Sequence, residues 1–246
     1  MNDFVSGSYS PDLEFVKSIL LKSYVFQGAS EDSISMLSEG ATIRTVERSV
    51  TLFSEGDTCD YVYVLVSGHV TFFMHDEHGK RYTLGLVEEF SIFGDMEIFS
   101  KGPRMSHAEA HENSQVLCIN APKFNNVVKN DPDILYRIVR FYAALLTRLT
   151  RFSLFRDVEK QLAFILVDFA RRYGHNVSLE LGTAKLTKGI EIDVHLSQEF
   201  LGSLVGIPRQ RINSILKKWE EKDWIRIRYS RVILLNEPAL KKYSII

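Results

Sequence analysis

Two cysteines, Cys59 and Cys118, are all the thiols in 246 residues. They stand far apart, so they offer no metal-spaced pair and no disulfide framework. One chain cannot supply the four cysteines of an iron–sulfur cluster. No apolar run approaches the ~18 residues that span a bilayer. Met1-Asn2-Asp3-Phe4 has neither the basic start nor the apolar stretch of an export signal. A cytoplasmic protein with no membrane partner is the expectation. Also missing are a glycine-rich phosphate loop, a Ser-His-Asp set and a supported pair of catalytic carboxylates. His75-Asp76-Glu77-His78 does not match the His-x-His and Glu of a metal-holding cupin barrel. No enzyme activity is expected. An excess of charge is missing too: the net is −1, so the whole molecule is not a basic polyanion binder. The distribution is uneven, however. Residues 157–246 carry 15 Lys/Arg against 11 Asp/Glu, whereas residues 1–156 carry 15 against 20. Only the C-terminal part is suited to meet a polyanion.

What is present is ordinary folded-protein composition, 45% hydrophobic and 25% charged, in an α+β order. Short helices are expected over residues 12–39. From Ala41 to Ala121, β-branched and aromatic bursts recur, such as Tyr61–Val66 and Val70–Met74. Turn signals at Glu55-Gly56-Asp57, Ser67-Gly68 and Glu77-His78-Gly79-Lys80 separate them. Many short strands punctuated by glycine predict a β-sandwich or roll. Asp131 and Pro132 then suit the N-cap and first position of a helix. Leu135, Ile138, Tyr142, Leu145, Leu149 and Phe152 follow at steps of 3 and 4, the heptad seam of a two-helix coiled coil. Ile134, Phe141 and Leu146 form a second stripe for the β-domain. A hinge is expected at 153–157, a fresh helix capped by Asp157 and ended by Gly174, and strands over Val177–Leu181 and Ile190–Val194.

Ser197 suits an N-cap, with Leu196 stapling onto Leu201. Leu201, Val205, Ile207, Ile212 and Ile215 fall where two crossed helices need core residues, Gly202 where they must approach, and Gly206 in the turn. Eight basic residues lie between Ile207 and Arg231. The pattern predicts a helix-turn-helix whose second helix, starting near Arg209, enters the major groove of double-stranded DNA. Arg209, Gln210 and Asn213 share a face near its start, with Ser214 beside them. Arg suits guanine, and Gln and Asn suit adenine. Arg211, Lys217 and Lys218 are candidate phosphate contacts, as are Arg228 and Arg231 on a predicted hairpin wing around Tyr229-Ser230-Arg231. Such a dimer reads two half-sites about one turn apart, and the heptad helix supplies the dimer. A second reading keeps the β-roll as a sensor that regulates a partner protein, with a winged helix that does not bind DNA.

This order of parts resembles the Crp/Fnr family of bacterial transcription regulators over nearly the whole chain. The β-roll glycines, Asp131-Pro132-Asp133-Ile134-Leu135, Asp157, Leu196-Ser197-Gln198 and Val205-Gly206-Ile207-Pro208-Arg209 carry the resemblance. It implies a cyclic-nucleotide-binding-like β-roll with flanking short helices (1–130), a dimerisation helix and hinge (131–156), and a winged helix-turn-helix (157–246). It implies a homodimer on a palindromic operator, RNA polymerase as a partner, and an effector in the roll that repositions the DNA-binding domains.

The family's cyclic-nucleotide cassette is matched here by Gly94-Asp95-Met96-Glu97-Ile98 and then Arg104-Met105-Ser106. In that cassette the acid binds the ribose hydroxyl, while the Arg and backbone N–H groups hold the phosphate. Arg104 keeps its role, Asp95 is one methylene shorter than the usual Glu, and Glu97 sets a negative charge beside the phosphate. Leu146 and Thr147 stand where cyclic-AMP members place a polar pair toward adenine. Cyclic AMP is thus a poor fit, and a small-molecule effector of unknown identity is expected. His75 with His78, or His107 with His111, are the candidates for a metal, and Phe72, Phe90 and Phe93 for an aromatic-lined pocket. The family's common half-sites are read by a Glu and, four residues later, an Arg. Gln210 and Ser214 occupy those places, so a different operator is expected.

Overall fold

The computed structural model describes residues 7–180 and 186–244. The chain divides into two compact units, residues 1–80 with 84–146, and residues 81–83 with 147–246. The elements of the first part are β1 (Ser8–Tyr9), α1 (Leu13–Lys22), a 3-10 turn (Tyr24–Phe26), α2 (Glu31–Ser38), β2 (Thr42–Val46), β3 (Thr51–Phe53), β4 (Tyr61–Ser67), β5 (Val70–His75), β6 (Arg81–Val87), β7 (Ile92–Phe93), α3 (Met96–Ser100), β8 (His107–Ala110), β9 (Ser114–Asn120), α4 (Ala121–Asn130) and α5 (Pro132–Ser153). Two antiparallel sheets form the roll, in the orders β1-β2-β9-β4-β7 and β3-β8-β5-β6.

Strands β4 and β9 bury both faces, which is why they read as continuous apolar runs. Val62, Val64, Leu117 and Ile119 join the helices in one core with Leu20, Phe26, Leu37 and Phe124. Their neighbours Tyr63, Leu65, Val116 and Cys118 join Phe53, Val70, Phe93 and Ala108 in a second core.

Helix α5 starts as its sequence dictates. Asp131 accepts from the backbone N–H of Asp133 and Ile134 through one oxygen, and its other oxygen accepts from Ser33 Oγ at 2.6 Å and Ser30 N at 3.2 Å. Burial alone would raise this carboxyl; the hydrogen bonds outweigh it and hold it below its ordinary value.

The face that α5 turns to the roll departs from the expected stripes. Ile134 and Ile138 are buried in the helix-side core and Tyr142 packs against it. Ile138 is therefore spent inside its own chain and does not belong to an outward seam. Tyr142 is half-buried, and Phe152 meets Phe164 at 6.3 Å. The apolar residues left exposed are Leu135, Val139, Leu146 and Leu149, with Tyr136 beside them. Leu146, expected on the stripe toward the β-domain, is 65% exposed.

The second unit holds α6 (Val158–Tyr173), β10 (Gly174–Glu180), β11 (Leu186–Ile192), α7 (Gln198–Val205), α8 (Arg209–Glu221), β12 (Ile225–Arg228), β13 (Arg231–Leu234) and α9 (Glu237–Tyr243), with the sheet order β10-β11-β13-β12. Asp157 caps α6 through Glu159 N at 2.8 Å. Gly174 ends α6 with φ −91°, so the chain runs straight into β10 rather than through a left-handed cap. Strand β10 begins at Gly174, earlier than expected, and Leu181, its expected last residue, lies outside the described residues. The core gathers Leu162, Leu166, Leu201, Ile212, Leu216, Trp219, Val232 and Leu240, all buried.

Candidate functional site

The β-roll cassette is built around Arg104, whose side chain is 1% exposed. One terminal nitrogen donates to Gly94 O at 2.6 Å and to Glu97 Oε2 at 3.3 Å, and the other donates to Tyr61 O at 2.6 Å. The guanidinium lies 4.1 Å from the centroid of Phe53. Gly94 has φ +69°, and a Cβ there would meet Arg104 Nη1 at 2.9 Å, so the turn and the close approach both require glycine. Glu97 also accepts from Met105 N at 3.2 Å. Its carboxylate thus holds the arginine and a backbone N–H beside it, the kinds of donor that the cassette offers to a phosphate.

Asp95 is 1% exposed and accepts from Tyr142 Oη at 2.8 Å. Burial raises its carboxyl to about 6 against the opposing effect of that hydrogen bond, and burial beside Asp95 pushes the Tyr142 phenol up. The shorter acid has been claimed by the long helix. Met96 and Met105 are exposed and Ser106 is half-buried. Leu146 lies exposed on α5 and does not line the cavity described next, and Thr147 is exposed on the same helix.

A cavity of about 390 Å³ opens inside the roll, lined by Arg44, Thr51, Phe53, Tyr61, Tyr63 and Arg104 among others. The aromatic candidates from sequence do not line it. Phe72 and Phe93 are engaged with each other at 5.9 Å, and Phe90 sits under Lys22. Phe53, Tyr61 and Tyr63 line it instead. His75 and His107 are rings packed on Phe73. Among the described residues no group of three or more His, Cys, Asp or Glu is placed to hold a metal.

In the second unit, Ser197 Oγ accepts from Phe200 N at 3.1 Å and caps α7. Gly206 turns the chain with φ +74°, and Ile207 N donates to Gly202 O at 3.0 Å. A Cβ on Gly202 would meet Ile207 O at 2.6 Å, which fixes how closely the two helices pack. Pro208 is the N-cap of α8, so the helix proper begins at Arg209. Ile212, Ile215, Leu216 and Trp219 are buried, which turns Gln210, Ser214 and Lys217 outward on one face, flanked by Arg209 and Arg211, all exposed.

The other candidates are partly committed within the chain. Asn213 is half-buried and accepts from Gln198 Nε2 at 3.0 Å, while Gln198 Oε1 accepts from Arg209 Nε at 3.5 Å. Asn213 thus ties α8 to α7 and is not displayed as a free base reader. Lys218 is bound to Glu159 of α6 at 3.1 Å. Arg231 is paired with Asp193 at 2.7 Å. Arg228 is exposed. The wing turns on Tyr229 and Ser230, both at positive φ, a two-residue hairpin of the type whose twist matches its strands. Tyr229 is 99% exposed at its tip, a residue the sequence marked only as a turn.

A family profile for the cyclic nucleotide-binding domain matches residues 43–131, and one for the Crp-like helix-turn-helix domain matches residues 160–243. The chain belongs to the Crp/Fnr family. It is 26% identical over 227 residues to the CRP-like cAMP-activated global transcriptional regulator of Mycobacterium tuberculosis, covering 91% of this chain and 97% of that protein. It is 25% identical to the global nitrogen regulator of a Nostoc species, covering 80% and 86%. The fold is shared with FixK2 of Bradyrhizobium japonicum at a TM-score of 0.70 and 17% identity, over 84% of this chain and 98% of that one. The first of these relatives is named as a global transcriptional regulator and the second as a global nitrogen regulator. Among the described residues no helix is long and apolar enough to cross a membrane.

Proposed function

We propose that this Crp/Fnr protein is an effector-responsive, sequence-specific transcription regulator that binds a palindromic operator as a homodimer. The observation that carries the reading is the outer face of α8. Gln210, Ser214 and Lys217 stand exposed on a helix held by a buried core, with Arg209 and Arg211 at its start and Arg228 on the wing. Gln210 reads a base edge, favouring adenine N6/N7, and the cations neutralise phosphates. The exposed stripe Leu135, Val139, Leu146 and Leu149 supports pairing through α5. The effector is small, because the family's sensing domain is present with its cavity. The names of the relatives assign them different signals, cyclic AMP in one and nitrogen regulation in another.

The test is binding of the purified protein to its own promoter region between 50 and 300 mM salt. Affinity should fall with a log–log slope of about −0.9 per phosphate neutralised. Gln210→Ala should lose discrimination among operator variants while keeping most of that slope. A weak, sequence-blind response with a flat slope would leave the sensor-only reading in its place.

A further inference from the structure

We propose that the β-roll cavity takes a compact aromatic carboxylate, gripped by Arg44 between the rings of Phe53, Tyr61 and Tyr63. The inference rests on the effector-sensing reading above and names the class of ligand.

Two guanidinium groups reach the cavity wall, and they differ in what they already hold. Arg104 is occupied by Gly94 O, Tyr61 O and Glu97. The place of an incoming phosphate beside it is filled by the chain's own carboxylate, and Asp95, the counterpart of the ribose acid, is bound by Tyr142. A cyclic nucleotide would have to displace both. Arg44 is different. It is half-buried on β2 and its guanidinium lies 4.9 Å from the centroid of Tyr61. Among the described residues it has no ion pair and no side-chain hydrogen bond. A second unfilled donor stands on the same wall, since Nε of Arg104 is buried without a partner.

An unpaired, partly desolvated guanidinium in a small cavity calls for a planar anion that accepts its forked donors. A carboxylate fits that fork. The rest of the wall chooses the body of the ligand. Phe53 and Tyr63 stack on each other at 5.8 Å, so their ring edges, with Tyr61, line the cavity and suit a small aromatic body packed against them edge to face. Burial pushes the Tyr63 phenol up to about 12, so it remains a neutral hydroxyl. Asp57 and Asp60 on the rim oppose a second negative charge, which favours a monoanion. The volume of about 390 Å³ is that of a small-molecule site.

The experiment is calorimetry and thermal unfolding of the full chain, without DNA, against benzoate, salicylate and phenylacetate. Benzamide and benzyl alcohol serve as neutral isosteres, and cyclic AMP as the nucleotide arm. At least one carboxylate should bind and raise the unfolding midpoint. Its neutral isostere should bind about tenfold more weakly or worse, and Arg44→Gln should lose a comparable factor. Benzamide matching benzoate, cyclic AMP binding in preference to every carboxylate, or no carboxylate binding at all would overturn the proposal. The isostere comparison does not depend on the variant folding. Because DNA is absent, failure here leaves the promoter measurement intact. Ligand binding by a protein that ignores its promoter would sink only the regulator reading.

Discussion

At the scale of single residues, the cassette is governed by three buried ionisable groups. Arg104 and Glu97 are both almost wholly removed from water, with side chains 1% and 6% exposed. Removing one member of such a pair leaves a buried charge uncompensated, at a cost of about 3–5 kcal/mol. Arg104→Met should therefore destabilise the protein by that amount in urea unfolding. The double variant with Glu97→Leu should recover most of it, because an apolar pair of similar volume is often neutral. A single variant as stable as wild type would mean that the pair is hydrated. Asp95 gives a pH dependence. Its carboxyl is raised to about 6 from 3.8, so the folded state favours the protonated form. The stability this contributes is complete below pH 3.8 and lost as pH rises through 6, about 3 kcal/mol in all. Asp95→Asn removes the titration. Unfolding free energies measured from pH 4 to 7.5 should show the variant gaining on wild type by about that amount, and a constant difference would exclude the raised carboxyl.

At the scale of elements, the pairing of α7 with α8 depends on one missing side chain. Gly202→Ala places a Cβ 2.6 Å from the backbone oxygen of Ile207, which cannot rotate away. An overpacked contact of this kind costs about 1–3 kcal/mol. The variant should unfold at a lower temperature and bind DNA more weakly; an unchanged midpoint would mean that the turn has room to shift. This element pair was legible in the sequence, because Ser197, Gly202 and Gly206 are local signals for cap, contact and turn. The face of α5 was not. Ile138 and Val139 are both apolar neighbours, and heptad counting cannot say which one the roll will bury. The claim on Ile134 and Ile138 comes from the helix-side core, assembled from residues far away in the chain. The cavity wall was hidden for the same reason. Strands buried on both faces carry no polar alternation to mark which aromatics look inward, so Phe72 and Phe93 could not be told from Phe53 and Tyr63. Asn213 and Lys218 read as free contacts because their partners, Gln198 and Glu159, lie 15 and 59 residues away.

At the scale of the whole molecule, the question is whether α5 makes the reading helices work in pairs. Val139 and Leu146 are 57% and 65% exposed and seven residues apart, so they lie on one stripe of a coiled-coil helix. Glutamate at both positions changes surface residues, which ordinarily moves stability by no more than about 0.5 kcal/mol. Across a two-fold seam, however, each new charge would face its own copy. Val139→Glu with Leu146→Glu should therefore sediment as a folded monomer, and the wild type should sediment as a dimer. Operator affinity should then fall by about 10²-fold or more, because two linked half-sites gain from an effective concentration that a monomer lacks. The salt slope should be close to halved, since half of the phosphate contacts are gone. A variant that stays dimeric would move the pairing surface away from this stripe. A monomer that binds the full operator as tightly as wild type would show that each helix-turn-helix acts alone.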